Sequence, residues 1–304
     1  METHKPKNRI DQVALAAFAA VVLLGGTNFV AVRFSNQELA PFWGAGIRFA
    51  AAAVLLLTIS IMWRLQLPRG RAFLGALIFG TLNFGATYAF AYWGLVNAPA
   101  ALGSVLVALA PLLTLMLARA HGLERISWRG IGAGIIAVVG VGVIFADQLT
   151  AAVPLASVLA LLLAAVCIAE GTVLAKWFPR VHPIPTNAVA MVPGAALLLA
   201  LSFLVGEHHT VPVRESTWIA LTYLVTAGSV GLFVGFLIVL QRWTASATSY
   251  ATVLFPLVTV GMGALLAGEF VSLTFVLGAG LVMAGVYLAV TAPAPARSTA
   301  SVGQ

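Results

Sequence analysis

Charge is what this sequence has least of. Only 8% of its 304 residues are Asp, Glu, Lys or Arg, about a third of the roughly 25% with which a soluble domain covers its surface. That shortage excludes a soluble globular enzyme. Cysteine is nearly absent as well. The one thiol, Cys167, lies in an apolar run and has no partner for a disulfide within the chain. No Gly-x4-Gly-Lys loop is present to cradle a nucleotide, no potassium-filter sequence occurs, and His208-His209 is a pair with no third ligand in sight. The sequence therefore calls for no cofactor and no metal. What it has in abundance is apolar: 61% hydrophobic residues, with 17 Phe and 7 Trp, which excludes a solvated coil. Mean hydropathy is +1.04. A polytopic membrane protein remains, with the lipid bilayer as its first partner. The net charge of +7 sits in short clusters between apolar runs, which fits topology signals rather than nucleic acid.

A spanning helix needs about 20 mostly apolar residues. Such runs lie at 12–32, 41–63, 72–94, 98–119, 127–146, 153–177, 185–206, 216–240, 244–267 and 271–291. The expected fold is thus an all-α membrane protein of ten transmembrane helices. Residues 1–11 form an N-terminal tail, and the Pro/Ala/Ser-rich residues 292–304 read as a disordered C-terminal tail. Lys5, Lys7 and Arg9 precede the first run as they would in a signal peptide. Its length is about twice that of a cleaved apolar segment, however, so a retained helix is expected. With the N-terminus inside, all of the 16 Lys and Arg residues fall on the inner side except Arg33, Arg214 and the intramembrane Arg48. The positive-inside rule then places both termini in the cytoplasm, and a bacterial inner membrane is the expected location.

A shift of 145 residues lays the chain on itself. Ser104, Leu109, Pro111, Thr114, Glu124 and Ser127 meet Ser249, Leu254, Pro256, Thr259, Glu269 and Ser272, and Gly26-Thr27 meets Gly171-Thr172. The uncommon Pro, Glu, Ser and Thr carry this signal in so apolar a chain. Two repeats follow, residues 12–146 and 153–291, each of five helices. Five is odd, so the second enters the membrane inverted, as in many secondary transporters, with a binding site near the midplane where the halves meet.

Polar residues inside the spans are the candidates for that site. Glu170 is an intramembrane carboxylate: a proton carrier, an anchor for a substrate amine, or a side chain reaching for the inner headgroups. Arg48 suits a substrate carboxylate, or else clamps backbone carbonyls. Gly80, Asn83 and Thr87 form a small polar stripe on the third span, beside Tyr88 and Tyr92. The interfacial belt accounts for Tyr92 and Trp93. Thr222, Thr226 and Ser229 form a matching stripe on the eighth span, next to Tyr223. Thr27, Asn28, Thr172, Ser249 and Tyr250 complete the expected lining. Pro111 and Pro256, each mid-helix, are expected to kink their helices and act as hinges. Small-residue faces at Gly132, Ala133, Ala137 and Gly140, and at Gly278 and Gly285, suit packing against a second copy, which leaves a homodimer open.

These residues together resemble a known family. Gly25-Gly26-Thr27-Asn28-Phe29, Gly46-Ile47-Arg48-Phe49, Pro111, Glu124-Arg125-Ile126-Ser127, Pro256 and Gly268-Glu269 are similar in order and spacing to the EamA branch of the drug/metabolite transporter superfamily, over roughly residues 12–290. The resemblance implies a ten-helix basket with a central cavity, and transport of small metabolites, often amino acid export. That family often has Trp in the first helix of each half, where this sequence has Gly25 and Glu170. Gly171 to Lys176 is also similar to the first helix of the small multidrug resistance proteins, whose Glu lies three residues before the Gly. A proton-coupled exporter of cationic compounds is therefore the alternative, and an intramembrane enzyme or scaffold the rival from another class.

Overall fold

A computed structural model of the chain describes residues 11–95, 97, 98, 100–146, 153–267 and 272–290. All regular structure among them is helical. We label α1 Gln12–Ser35, α2 Pro41–Met62, α3 Arg71–Leu95, α4 the two pieces Ala100–Val107 and Ala110–Ala120, and α5 Trp128–Ile144. The second half holds α6 Leu155–Trp177, α7 Pro183–Leu204, α8 Glu215–Arg242, α9 the two pieces Ala245–Ser249 and Ala251–Ala267, and α10 Leu273–Val290. Seven of the described helices are long and apolar enough to cross a membrane; Val105–Ala120, Trp128–Ile144 and Leu273–Ala289 are apolar but shorter. The expected tails lie outside the described residues, apart from Asp11, as do Asp147 and Glu269.

Helix starts follow local chemistry. The Ser127 and Thr244 hydroxyls accept from Gly130 N and Ala247 N, and Pro41 and Pro183 open α2 and α7, where a missing N–H costs nothing. Carboxylates do the same work across the fold, since exposed N–H groups at a helix start favour negative charge. Asp11 caps α1 through Ala14 N and pairs with Arg242 at 2.8 Å. That guanidinium, first, and the Ala14 N–H hold the Asp11 carboxyl below its usual range.

Two halves related by the 145-residue offset are interlocked rather than side by side. The first helix of each half packs in the other half: α1 on α8 and α9, α6 on α3 and α4. The remaining pairs are equivalents packed on each other, α2 on α7 and α5 on α10. In the last pair a Cβ on Gly278 would lie 2.6 Å from Gly140 O, and one on Gly285 would lie 2.7 Å from Ala133 O. Under the offset Ala133 matches Gly278 and Gly140 matches Gly285, so one contact maps onto the other. The order is reversed along the two helices, so α5 and its repeat equivalent α10 run antiparallel. This also corrects one expectation. Ala133, Ala137, Gly140, Gly278 and Gly285 meet one another inside the chain and are not free for a second copy, whereas a Cβ on Gly132 would meet nothing within 4 Å.

Candidate functional site

The middle of α3 and the middle of α8 each carry one wide turn of π-helix, at Thr81–Ala86 and Thr226–Gly231. The two segments sit at the same place in the repeat, since 81 and 226 differ by the same 145. A π turn frees backbone groups from the i→i−4 ladder and recurs at functional sites. Side chains take up the freed carbonyls. Thr87 Oγ1 donates to Leu82 O at 2.8 Å. Gly228 O accepts from Asn28 Nδ2 and from Arg48 Nη2, both at 2.9 Å, and Arg48 Nε donates to Ser229 Oγ at 2.7 Å.

Each turn is approached by the first helix of the opposite half, and the contact is reciprocal in chemistry. On α8 the π turn offers Gly228 and α1 offers Asn28; a Cβ on Gly228 would fall 2.0 Å from Asn28 Oδ1. On α3 the π turn offers Asn83 and α6 offers Gly171; a Cβ there would fall 1.8 Å from Asn83 Nδ2. Asn28 Oδ1 and Asn83 Nδ2 are sealed and without partners. Beside the first contact Thr27 bonds Tyr223, and Gly26 O accepts from Thr259 at 2.9 Å.

The two sides then diverge. Arg48-Phe49 on α2 stands where Pro193-Gly194 stands on α7. On the α7 side small residues let backbones touch: a Cβ on Gly80 would lie 1.7 Å from Ala190 O, and one on Gly194 would lie 2.4 Å from Phe84 Cβ. On the α2 side Val225 replaces Gly80 in the repeat, and α8 packs on α2 far less closely than α3 packs on α7. Arg48 lies there, with 2% of its surface exposed. Around it an aromatic cluster crosses between helices: Phe49 meets Phe84 at 5.1 Å, Tyr88 at 5.0 Å and Phe233 at 6.3 Å, and Phe84 meets Phe233 at 4.6 Å. Tyr88 and Phe233 are repeat equivalents.

The structure thus brings together Thr27, Asn28, Arg48, Tyr88 and Tyr223, with Asn83 and Thr87 at the second π turn. It separates others from this centre. Thr172 is fully buried and donates to Ile168 O of its own helix. Ser249 donates to Ser246 O, and Tyr250 reaches Gly130 O at the start of α5. Tyr92 packs on Phe42 and Tyr88 at 5.8 and 6.0 Å, whereas Trp93 is exposed. The hinge residues also differ from expectation. α4 breaks at Ala108-Leu109 and Pro111 lies in the first turn of its second piece. Pro256 lies inside an unbroken helix, and the break in α9 comes at Tyr250.

Glu170 lies near the face on which α1 begins, bridged to His121 at the end of α4; Oε1 and Nε2 are 3.2 Å apart. Gly122, at φ +71°, ends α4 and leaves His121 turned toward α6. Sequence reasoning missed His121, because nothing in its spacing ties it to a residue 49 positions on. It also missed Asn187, whose Nδ2 joins Pro183 O to Phe233 O. Among the described residues no three His, Cys, Asp or Glu side chains converge on a metal position. His209 instead stacks on Trp43 and Phe203.

The model of the EamA-like transporter family matches residues 12–146 and again 155–291. The chain is 29% identical over 282 residues to the inner membrane transporter YedA of Escherichia coli K12, covering 90% of this chain and 89% of that one. It is 26% identical over 286 residues to a probable amino-acid metabolite efflux pump of Salmonella typhimurium, covering 88% and 91%. A crystal structure 18% identical in sequence superposes with a TM-score of 0.79, covering 91% of this chain and 96% of that one, and so shares the fold.

Proposed function

The chain belongs to the EamA-like transporter family, and we propose that it is a secondary transporter that exports amino acids or related metabolites by alternating access. The reading takes ten crossings of a bacterial inner membrane, repeats at 12–146 and 153–291, and both termini in the cytoplasm. The observation that carries it is the pair of π turns at equivalent positions, each packed against the first helix of the other half, Gly228 against Asn28 and Asn83 against Gly171. A rocking motion of one half on the other changes those two contacts first. The polar residues around them, Thr27, Asn28, Arg48, Asn83, Thr87, Tyr88 and Tyr223, line the path, and the breaks in α4 just before Pro111 and in α9 at Tyr250 give the ends of the halves freedom to move. Likeness to a named efflux pump supports export; the EamA match supports small solutes.

Reconstituted protein is expected to release a preloaded radiolabelled amino acid from proteoliposomes faster than empty liposomes do. If none of the twenty standard amino acids moves, the substrate reading fails. For orientation, Glu207 is a poor probe position, since its carboxylate accepts from Phe42 N and Trp43 N at 3.0 and 2.8 Å. Val211, 71% exposed, is the better one. Val211→Cys with Cys167→Ala is expected to react with an impermeant thiol reagent on intact cells. Labelling only after lysis overturns the topology.

Proton coupling is the second reading, and the His121–Glu170 bridge favours it. His121 Nδ1 lies 3.0 Å from Leu117 O, an acceptor only, so Nδ1 carries a proton. Nε2 then faces Glu170 Oε1 either as imidazolium against carboxylate or as neutral imidazole against a protonated acid. α4 and α6 belong to different halves, so this contact is made or broken as the halves move, and a proton shared across it is the coupling this reading calls for.

A further inference from the structure

We infer that Arg48, held in the gap between α2 and α8, is a binding site for the carboxylate of a small organic acid. The inference rests on the transporter reading and adds the substrate's charge to it. Protein groups take up two positions of the guanidinium, Nε on Ser229 Oγ and Nη2 on Gly228 O. Both acceptors are neutral, and Asn28 Nδ2 on the same Gly228 oxygen fixes that carbonyl. No carboxylate lies within 4.0 Å of Arg48 among the described residues: the ion pairs there are His121–Glu170 and Arg242–Asp11. A buried cation inside a membrane protein is costly unless something of opposite charge meets it.

The third nitrogen, Nη1, has no protein acceptor, yet it is not among the sealed polar atoms without partners, which are Asn28 Oδ1, Asn83 Nδ2, Glu170 Oε2, Asn187 Oδ1 and Thr217 Oγ1. It is therefore not wholly sealed. The planar fork matches two carboxylate oxygens. The repeat breaks its symmetry here: the equivalent position on α7 is Pro193, and there the helices close on each other through glycines. One half of the repeat has spent this position on packing, and the other has kept it for a charge. Ser229 and Gly228 are positioning groups that aim the fork, and Phe49, 5.0 Å from the guanidinium, forms its apolar floor.

The test begins with the unmodified protein. Detergent-purified transporter is heated with each of the twenty amino acids, with acetate, lactate and succinate, and with the carboxamide of each amino acid. At least one acid is expected to raise Tm, and its amide is expected to do so at about tenfold or higher concentration. Arg48→Gln is expected to lose the acid's effect and Arg48→Lys to retain part of it. Ser229→Ala, which leaves the charge in place, is expected to weaken the acid more than the amide. Equal stabilisation by acid and amide, or no stabilisation by any acid, overturns the inference. If amides or amines nevertheless cross proteoliposome membranes, the transport reading survives that failure. If nothing in either set crosses, the transport reading falls separately.

Discussion

Gly80→Ala is expected to remove most folded protein from the membrane. The added Cβ would sit 1.7 Å from Ala190 O, 2.4 Å from Ala190 C and 2.7 Å from Ala190 Cα. All three are backbone atoms inside helix α7, so no side chain can swing away. Relief requires parting α3 from α7 along a contact that also includes Gly194 against Phe84 and Gly85 against Leu197. Overpacking usually costs about 1–3 kcal/mol even where side chains can give, and this site offers none. Gly132→Ala and Gly280→Ala are the matched controls, because nothing lies within 4 Å of a Cβ at either position. The measurement is the fraction of monodisperse protein after extraction, with its thermal midpoint. A Gly80→Ala variant as stable as the two controls would show that α3 and α7 are not in backbone contact.

That contact shows where sequence stops being legible. Long apolar runs gave the helices to within a few residues, because a bilayer leaves the backbone few ways to satisfy its own hydrogen bonds. The 145-residue offset likewise exposed the repeat that the family model matches at 12–146 and 155–291, since Pro111 and Pro256 or Thr114 and Thr259 stand out against Ala and Leu. The π turns were not legible. One extra residue in a turn leaves composition and hydropathy unchanged, and the stripes at Asn83 and Ser229 read as ordinary helix faces. Nor was the placement of the breaks. Proline removes a hydrogen bond at a fixed position, but tertiary packing decided whether the helix parted there: α4 parted just before Pro111, and α9 six residues before Pro256. Arg48 was legible as a residue of interest, with both a clamp and a carboxylate site open to it. Only its neighbours show that Nε and Nη2 act as the clamp while Nη1 is left over.

Glu170→Gln is expected to flatten the pH dependence of transport while leaving the protein folded. Among the described carboxylates Glu170 alone stands away from a helix start. Asp11 caps α1, Glu38 receives Val213 N and Arg214 N ahead of α8, and Glu124 receives Ser246 N at α9. Glu207 receives Phe42 N and Trp43 N at α2, and Glu215 opens α8. Asp11, Glu38, Glu124 and Glu207 are held by fixed N–H donors, whose protons do not exchange with the reaction. Glu170 instead faces an imidazole, and its second oxygen, Oε2, is sealed without a partner. A glutamine amide can donate its own N–H to His121 Nε2, so the contact between α4 and α6 closes without taking up a proton. In the unmodified protein a proton shared across the bridge couples its closure to pH, and the variant loses that coupling. Export measured from proteoliposomes across about pH 5–8, where imidazole chemistry operates, gives the comparison, with His121→Gln as the partner variant. Both variants are expected to transport at rates that no longer follow pH, and to lose accumulation driven by an imposed pH gradient. A Glu170→Gln profile that keeps the parent's slope would leave the bridge as a structural tie between the halves and place any proton pathway elsewhere.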